Sequence, residues 1–204
     1  MHYTLTPQKQ AGLSNKKNLD GIKKQTIKAL SLLCSLFTVL FFPTVNAQDV
    51  LVGLTSNGGP EGRGTLFSMK TSGANFSIMK GFADWGQEPI GDLLLGTDGN
   101  FYGMTYTGGT YTAPGTIFMM TPAGAITILR ELNGQPDGQY PYGELIKGPD
   151  GSYYGLTSSG GANTYGTIFK ITSAGNFTVL KDFAIVADGG NPRGHLVLGK
   201  DGNF

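Results

Sequence analysis

His195 is the single histidine after residue 47, and an imidazole that titrates near neutral pH is the side chain most often used as a general base. The residues one and two repeat lengths earlier are Glu144 and Asp92, so the position reads as a polar strand end rather than a catalytic group. No Gly-x-Ser-x-Gly, His-Glu-x-x-His or Gly-x-x-x-x-Gly-Lys-Ser/Thr occurs, which removes the usual marks of a serine hydrolase, a zinc peptidase and a phosphate-cradling loop. Cys34 is the only cysteine and falls within an apolar run near the N-terminus. Disulfides, cysteine zinc sites and thiol nucleophiles are therefore not expected after residue 47. The Asp-Gly pairs at Asp98, Asp150 and Asp201 lack the dense oxygen ligands that Ca²⁺ requires and suit turns instead. The sequence thus assigns no catalytic residue, no metal ligand and no cofactor.

Binding chemistry has better material. Trp85, Tyr111, Tyr140 and Tyr165 stand in long segments whose composition differs between repeats, with Arg63, Asp84, Asp137, Asp188 and Arg193 nearby. Flat rings offer apolar faces for stacking sugars, and the charged groups can hydrogen-bond hydroxyls or an acidic sugar. These nine residues are the candidate binding set, with a glycan or a surface protein as partner. A propeller enzyme, a polysaccharide lyase or hydrolase with its site completed by residues beyond 204, is the alternative.

The elements that must position them repeat at intervals of 50 to 52 residues. Asp98-Gly-Asn-Phe-Tyr-Gly-Met-Thr105 matches Asp150-Gly-Ser-Tyr-Tyr-Gly-Leu-Thr157 and, more loosely, Asp49-Val-Leu-Val-Gly-Leu-Thr55. A glycine doublet follows each, then Gly64-Thr-Leu-Phe67, Gly115-Thr-Ile-Phe118 or Gly166-Thr-Ile-Phe169. Next come a turn glycine and an alternating run that holds Lys80, Arg130 or Lys181. This period suits a four-stranded blade, with strand A at 143–148, B at 152–158, C at 167–172 and D at 176–183 in the best-defined copy. The A–B link carries Asp-Gly, the pair for a type I′ hairpin, and strand D is expected to alternate without interruption. Counting strands gives B-C-D, twice A-B-C-D, and a last A, twelve in all. That last A is a candidate to complete the first blade. The A–B and C–D links are tight, whereas B–C (57–63, 108–114, 160–165) and D–A (83–88, 133–140, 184–193) are long and variable, and share one face.

Composition agrees with sheets. Thirty-three glycines are incompatible with a mostly helical chain, since each interior helical Gly costs about 1 kcal/mol relative to Ala. Residues 1–47 carry six lysines against Asp20, net +5, and the remainder carries 9 basic and 13 acidic residues, net −4. A mildly acidic body lacks the clustered basic face of a nucleic-acid binder. The basic stretch runs into fourteen uncharged residues at 29–42 and then to Ala47, the three parts of a secretory signal, with cleavage expected after Ala47. The apolar run is shorter than the roughly 20 residues a membrane span needs, so no membrane attachment is expected after cleavage.

Asp-Gly-Asn-Phe-Tyr-Gly-x-Thr, a glycine doublet and Gly-Thr-Ile-Phe resemble the GloVer-type extracellular tandem repeat of secreted bacterial proteins, over nearly all of 48–204. A kelch-like propeller shares the period and the doublet, but its units each place a Tyr and a Trp after the doublet, and Trp85 is the only Trp here. The GloVer resemblance implies an exported, surface-associated repeat protein, often with a separate C-terminal anchoring or sorting domain, and supplies no catalytic residues. The expected fold is all-β: a β-propeller-like array of four-stranded antiparallel blades, an incomplete propeller of three repeats and the start of a fourth. The expected boundaries are a signal peptide at 1–47 and a repeat domain at 48–204, with repeats 48–97, 98–149, 150–200 and a truncated fourth at 201–204.

Overall fold

Glycine and phenylalanine face each other across the centre of every repeat. In the computed structural model, which describes residues 50–83, 85–109 and 113–204, Gly53 pairs with Phe67, Gly103 with Phe118 and Gly155 with Phe169 as direct antiparallel partners. Each ring lies flat over its glycine: a Cβ there would come 2.6, 2.7 and 2.5 Å from the ring tip. This explains why Tyr-Gly-x-Thr and Gly-Thr-Ile-Phe recur together. The ring takes the space that a side chain on the facing strand would fill.

Around those pairs the described residues build eleven strands in three antiparallel sheets. β1 (Val50–Thr55), β2 (Thr65–Lys70) and β3 (Ser77–Gly81) form the first. β4 (Leu94–Leu95), β5 (Phe101–Thr105), β6 (Thr116–Met120) and β7 (Ile126–Glu131) form the second, in that order. β8 (Gln139–Lys147), β9 (Tyr153–Ser159), β10 (Thr167–Ile171) and β11 (Phe177–Asp182) form the third. No helix occurs among the described residues. The expected leader at 1–47 lies outside them.

The sheets cover each other's faces. Leu66, Phe82, Phe118 and Met120 form one buried cluster between the first two sheets, with Val52, Leu54, Trp85 and Phe101 packed on it. Tyr102, Met104, Ile117, Leu145, Tyr153 and Phe169 belong to a second, between sheets two and three. Both faces of the middle sheet are thus buried, and a ladder of rings runs through the stack: Tyr102 lies on Tyr153 at 4.0 Å and Tyr154 on Phe204 at 4.5 Å. These are equivalent positions of successive repeats. A threonine pair closes each B–C link: the buried Thr105 Oγ1 and Thr116 Oγ1 are 2.8 Å apart, the buried Thr157 and Thr167 likewise 2.8 Å, and the exposed Thr55 lies 3.0 Å from the buried Thr65.

Three expectations are corrected. The Asp-Gly links are not type I′ turns, because only the glycine has positive φ: +80° at Gly99, +79° at Gly151 and +83° at Gly202. Gly99 N donates to Gly96 O (3.1 Å) and Gly96 N to Asn100 O (2.8 Å), the pattern of a type I turn followed by a left-handed bulge residue. The C–D turns at Gly73, Gly124 and Gly175 repeat that pattern. Strand D does not alternate without interruption either: a β-bulge inserts Met79, Leu129 or Leu180 between the residues that face the strand C pair. The phase therefore flips just before Lys80, Arg130 and Lys181. Lastly, the twelfth strand is absent. Residues 193–199 form no strand, and among the described residues the first sheet keeps only three. In the second and third sheets the first strand takes its bonds from the second strand of its own repeat, β4 from β5 and β8 from β9.

Replacing Gly103 with Ala forces a methyl against the fully buried Phe118 ring. We expect a loss of about 1–3 kcal/mol, read as a lower urea midpoint.

Candidate functional site

The long links are built by the same contacts in each repeat. Phe82 N, Leu132 N and Phe183 N each donate to the glycine that opens strand C (Gly64, Gly115 and Gly166 O), all at 3.0 Å. The D–A link then pairs with the B–C links on both sides. Gln87 and Thr107 exchange backbone bonds of 2.7 and 3.2 Å, and Glu88 N donates to Arg63 O at 3.3 Å. Tyr140 N donates to Pro114 O (2.7 Å) and Asn191 N to Tyr165 O (2.9 Å) at the matching places. Glu88, Tyr140 and Asn191 all take a left-handed φ of 54–55°, and each precedes the proline of a Pro-x-Gly segment.

Much of the candidate set serves this construction. Arg130 Nε and Nη2 reach the two oxygens of Asp137 at 2.7 Å each, and the Asp137 side chain is only 3% exposed. Lys181 and Asp188 repeat the pair at 2.7 Å, and Asp188 Oδ2 also accepts from Ala184 N. Lys181 holds the Asp188 carboxyl below the ordinary carboxylate range, helped by that amide. Trp85 occupies the corresponding place in the first repeat and packs inward, 4.7 Å from the Phe82 ring and 5.7 Å from Phe118, with its Nε1 buried and without a hydrogen-bond partner. Tyr165 lies against Gly190 of its own D–A link. Tyr140 stacks on Tyr106 at 5.0 Å, and Tyr142 meets Tyr106 edge-on at 6.3 Å. Arg63 is half-buried and Arg193 exposed. Asp84 and Tyr111 lie outside the described residues.

A different group converges. The Pro-x-Gly segments abut so closely that a Cβ on Gly91 would collide with the Gly143 carbonyl, and one on Gly143 with the Gly194 carbonyl. The next residues are Asp92, Glu144 and His195. They line one cavity of about 230 Å³ together with Ile90, Gly91 and Gly143, and His195 Nε2 is 3.9 Å from Glu144 Oε1. A neighbouring cavity of about 620 Å³ adds Val52, Leu54, Pro89 and Leu93. Sequence reasoning treated the three polar residues as isolated strand ends, although their shared place in the repeat was the signal: equivalent residues of stacked units come together. Among the described residues no three His, Cys, Asp or Glu are arranged to hold a metal ion. The carboxylates and imidazole can accept and donate hydrogen bonds to a polar ligand, and the glycine backbones leave it room.

The aspartates of the A–B turns have a separate task. Asp98 Oδ2 accepts from the Tyr102 hydroxyl at 2.7 Å, and that bond, with further ones from Asn100, lowers its pKa. Lys170 Nζ, 2.6 Å away, holds Asp150 far below the usual range, assisted by the Ser152 amide.

Three sheets of one repeated design, packed face on face, with successive Pro-x-Gly segments gathered at a shared cavity, define a tandem β-sheet repeat protein. The Gloeobacter/Verrucomicrobia repeat matches residues 41–204, and the chain belongs to that family. No curated protein matches it. No helix among the described residues is long and apolar enough to cross a membrane.

Two predictions follow from the ion pairs. Arg130→Met leaves the buried Asp137 carboxylate without its partner and is expected to cost about 2–3 kcal/mol, measured by urea denaturation at neutral pH. The lowered pKa values of Asp98 and Asp150 mean that folding binds these carboxylates in the charged form. Their contribution is complete above the unfolded value of about 4 and is lost as pH falls through the lower folded values. The urea midpoint should therefore drop on acidification below about pH 4, and less steeply in Lys170→Met.

Proposed function

We propose that the chain is an exported, non-catalytic binding module: a sector of a β-propeller whose first strands line an axis, and whose ligand docks where the Pro-x-Gly segments meet. Export rests on the basic, apolar and small-residue order of 1–47. The propeller reading rests on the period, on four-stranded antiparallel sheets stacked by their faces, and on the close approach of Gly91, Gly143 and Gly194. The single observation that carries the binding site is the gathering of Asp92, Glu144 and His195 at one cavity, while Asp137 and Asp188 are held in internal pairs. Two carboxylates lining one cavity can accept hydrogen bonds from the hydroxyls of a sugar. The Tyr106, Tyr140 and Tyr142 rings lie on the same long-link side and offer flat faces. A glycan, free or carried on a surface protein, is the ligand this chemistry favours.

A glycan array identifies the ligand. Asp92→Asn with Glu144→Gln is expected to weaken binding at least about tenfold, or ~1.4 kcal/mol, with an unchanged unfolding midpoint, because neither side chain takes part in the core. Binding indifferent to both substitutions, or none across broad glycan and surface-protein panels, would count against the proposal.

A further inference from the structure

The strand D cation is paired from within its own repeat in the second and third copies and not in the first. Lys80, Arg130 and Lys181 are equivalent, since each faces the strand C residue next to the bulge, Leu66, Ile117 or Ile168. Arg130 takes the carboxylate of Asp137 and Lys181 that of Asp188. Both aspartates stand three residues before the left-handed residue of the D–A link, Tyr140 or Asn191. Counting back three from the left-handed Glu88 of the first repeat gives Trp85. That link is also two residues shorter, running from Phe82 to Glu88 where the others run from Leu132 to Tyr140 and from Phe183 to Asn191. A neutral ring thus stands where the later repeats hold an anion, and among the described residues no carboxylate pairs with the exposed Lys80.

At this place, between β3 and the β6–β7 hairpin of the next sheet, lies a cavity of about 310 Å³ lined by Lys80, Trp85, Gly124, Ala125, Ile126 and Ile128. At the following junction the corresponding ground is covered by Arg130, which holds Asp137 with two bonds of 2.7 Å and lies 5.1 Å from Phe177, the counterpart of Ile126. Trp85 brings a further donor. Its Nε1 is the one buried side-chain polar atom without a partner among the described residues, and a buried N–H is destabilising until an acceptor meets it. The rest of the lining is apolar or glycine. We propose that this cavity takes a small carboxylate with an apolar body: the carboxylate pairs with Lys80 as Asp137 and Asp188 do with its counterparts, and the body lies on Trp85, Ile126 and Ile128. The volume stands at the low end of small-molecule pockets, roughly 300–1,000 Å³. A uronic acid suits it less, because Ile126 and Ile128 give ring hydroxyls no partner. The cavity shares no residue with the one lined by Asp92, Glu144 and His195, so it is a second site, independent of the glycan reading.

Trp85 is the sole tryptophan of the chain, so its fluorescence reports on the cavity directly. The full chain titrated with hexanoate is expected to show a saturable change in that emission, with hexanamide, the neutral analogue, and glucuronate each binding at least about tenfold more weakly. Lys80→Met should weaken hexanoate binding to the same degree with an unchanged urea midpoint, because the side chain is exposed, and Lys80→Arg should retain binding. The absence of a saturable response, equal binding of hexanamide, tighter binding of glucuronate, or indifference to Lys80→Met overturns the inference. So does a response that appears only in Asp84→Asn, which would make the aspartate beside Trp85 the partner of Lys80. Asp92→Asn with Glu144→Gln is expected to leave hexanoate binding intact, and Lys80→Met to leave glycan binding intact, so the failure of one site is told apart from the failure of the other.

Discussion

A β-sheet that is apolar on both faces is stable only between two others, and this requirement organises the whole of 50–204. The middle sheet meets it. Tyr102, Met104 and Ile117 look toward the third sheet, and Phe118 and Met120 toward the first. Neither face could be left in water without exposing several large side chains, each worth about 1.5–3 kcal/mol when buried. The glycine opposite each strand C phenylalanine belongs to the same solution. By letting the ring lie down on its own sheet, it keeps the layer thin enough for the next sheet to reach it.

Stacking in turn dictates where polar groups can stand. Inside the stack they are paired. The threonine hydroxyls at the head of each B–C link bond to each other, and Thr167 Oγ1 also donates to Asp137 O (3.0 Å). Asp137 is buried and takes a two-pronged bond from Arg130. Away from the stack, the Pro-x-Gly backbones touch, and the polar residue that follows each one faces the shared cavity. Binding chemistry and packing chemistry are thereby separated along a few residues of one link: the aspartate at its middle is structural, and the Asp, Glu or His near its end is accessible.

Strand order, sheet number and most strand limits were legible in the sequence, because period-two alternation and turn glycines are local signals. The bulge before Lys80, Arg130 and Lys181 was not. It is one extra residue in an otherwise alternating run, visible only once strand C fixes the pairing. The turn type was misjudged at Asp98-Gly99 because the same dipeptide serves two turns, and the hydrogen bond of Gly96 N to Asn100 O decides between them. At the site, aromatic content pointed to Trp85, whose ring packs between neighbouring sheets, and passed over Tyr106 and Tyr142. The convergence of Asp92, Glu144 and His195 spans two full repeats of sequence. It required the stacking geometry, which spacing alone does not provide.

The threonine pairs have a consequence beyond cohesion. They fasten the two strands at the point where each B–C link departs, and a further clasp above them recurs as Gly58 to Arg63, Gly108 to Pro114 and Gly160 to Tyr165. Beyond that double fastening the tip of the third repeat is still held by its backbone, for Gly161 N donates to Gly134 O (2.7 Å) and Ala162 N to Asp182 Oδ1 (2.6 Å). The main chain of the tip therefore belongs to the frame, and variety from copy to copy is left to the side chains it displays.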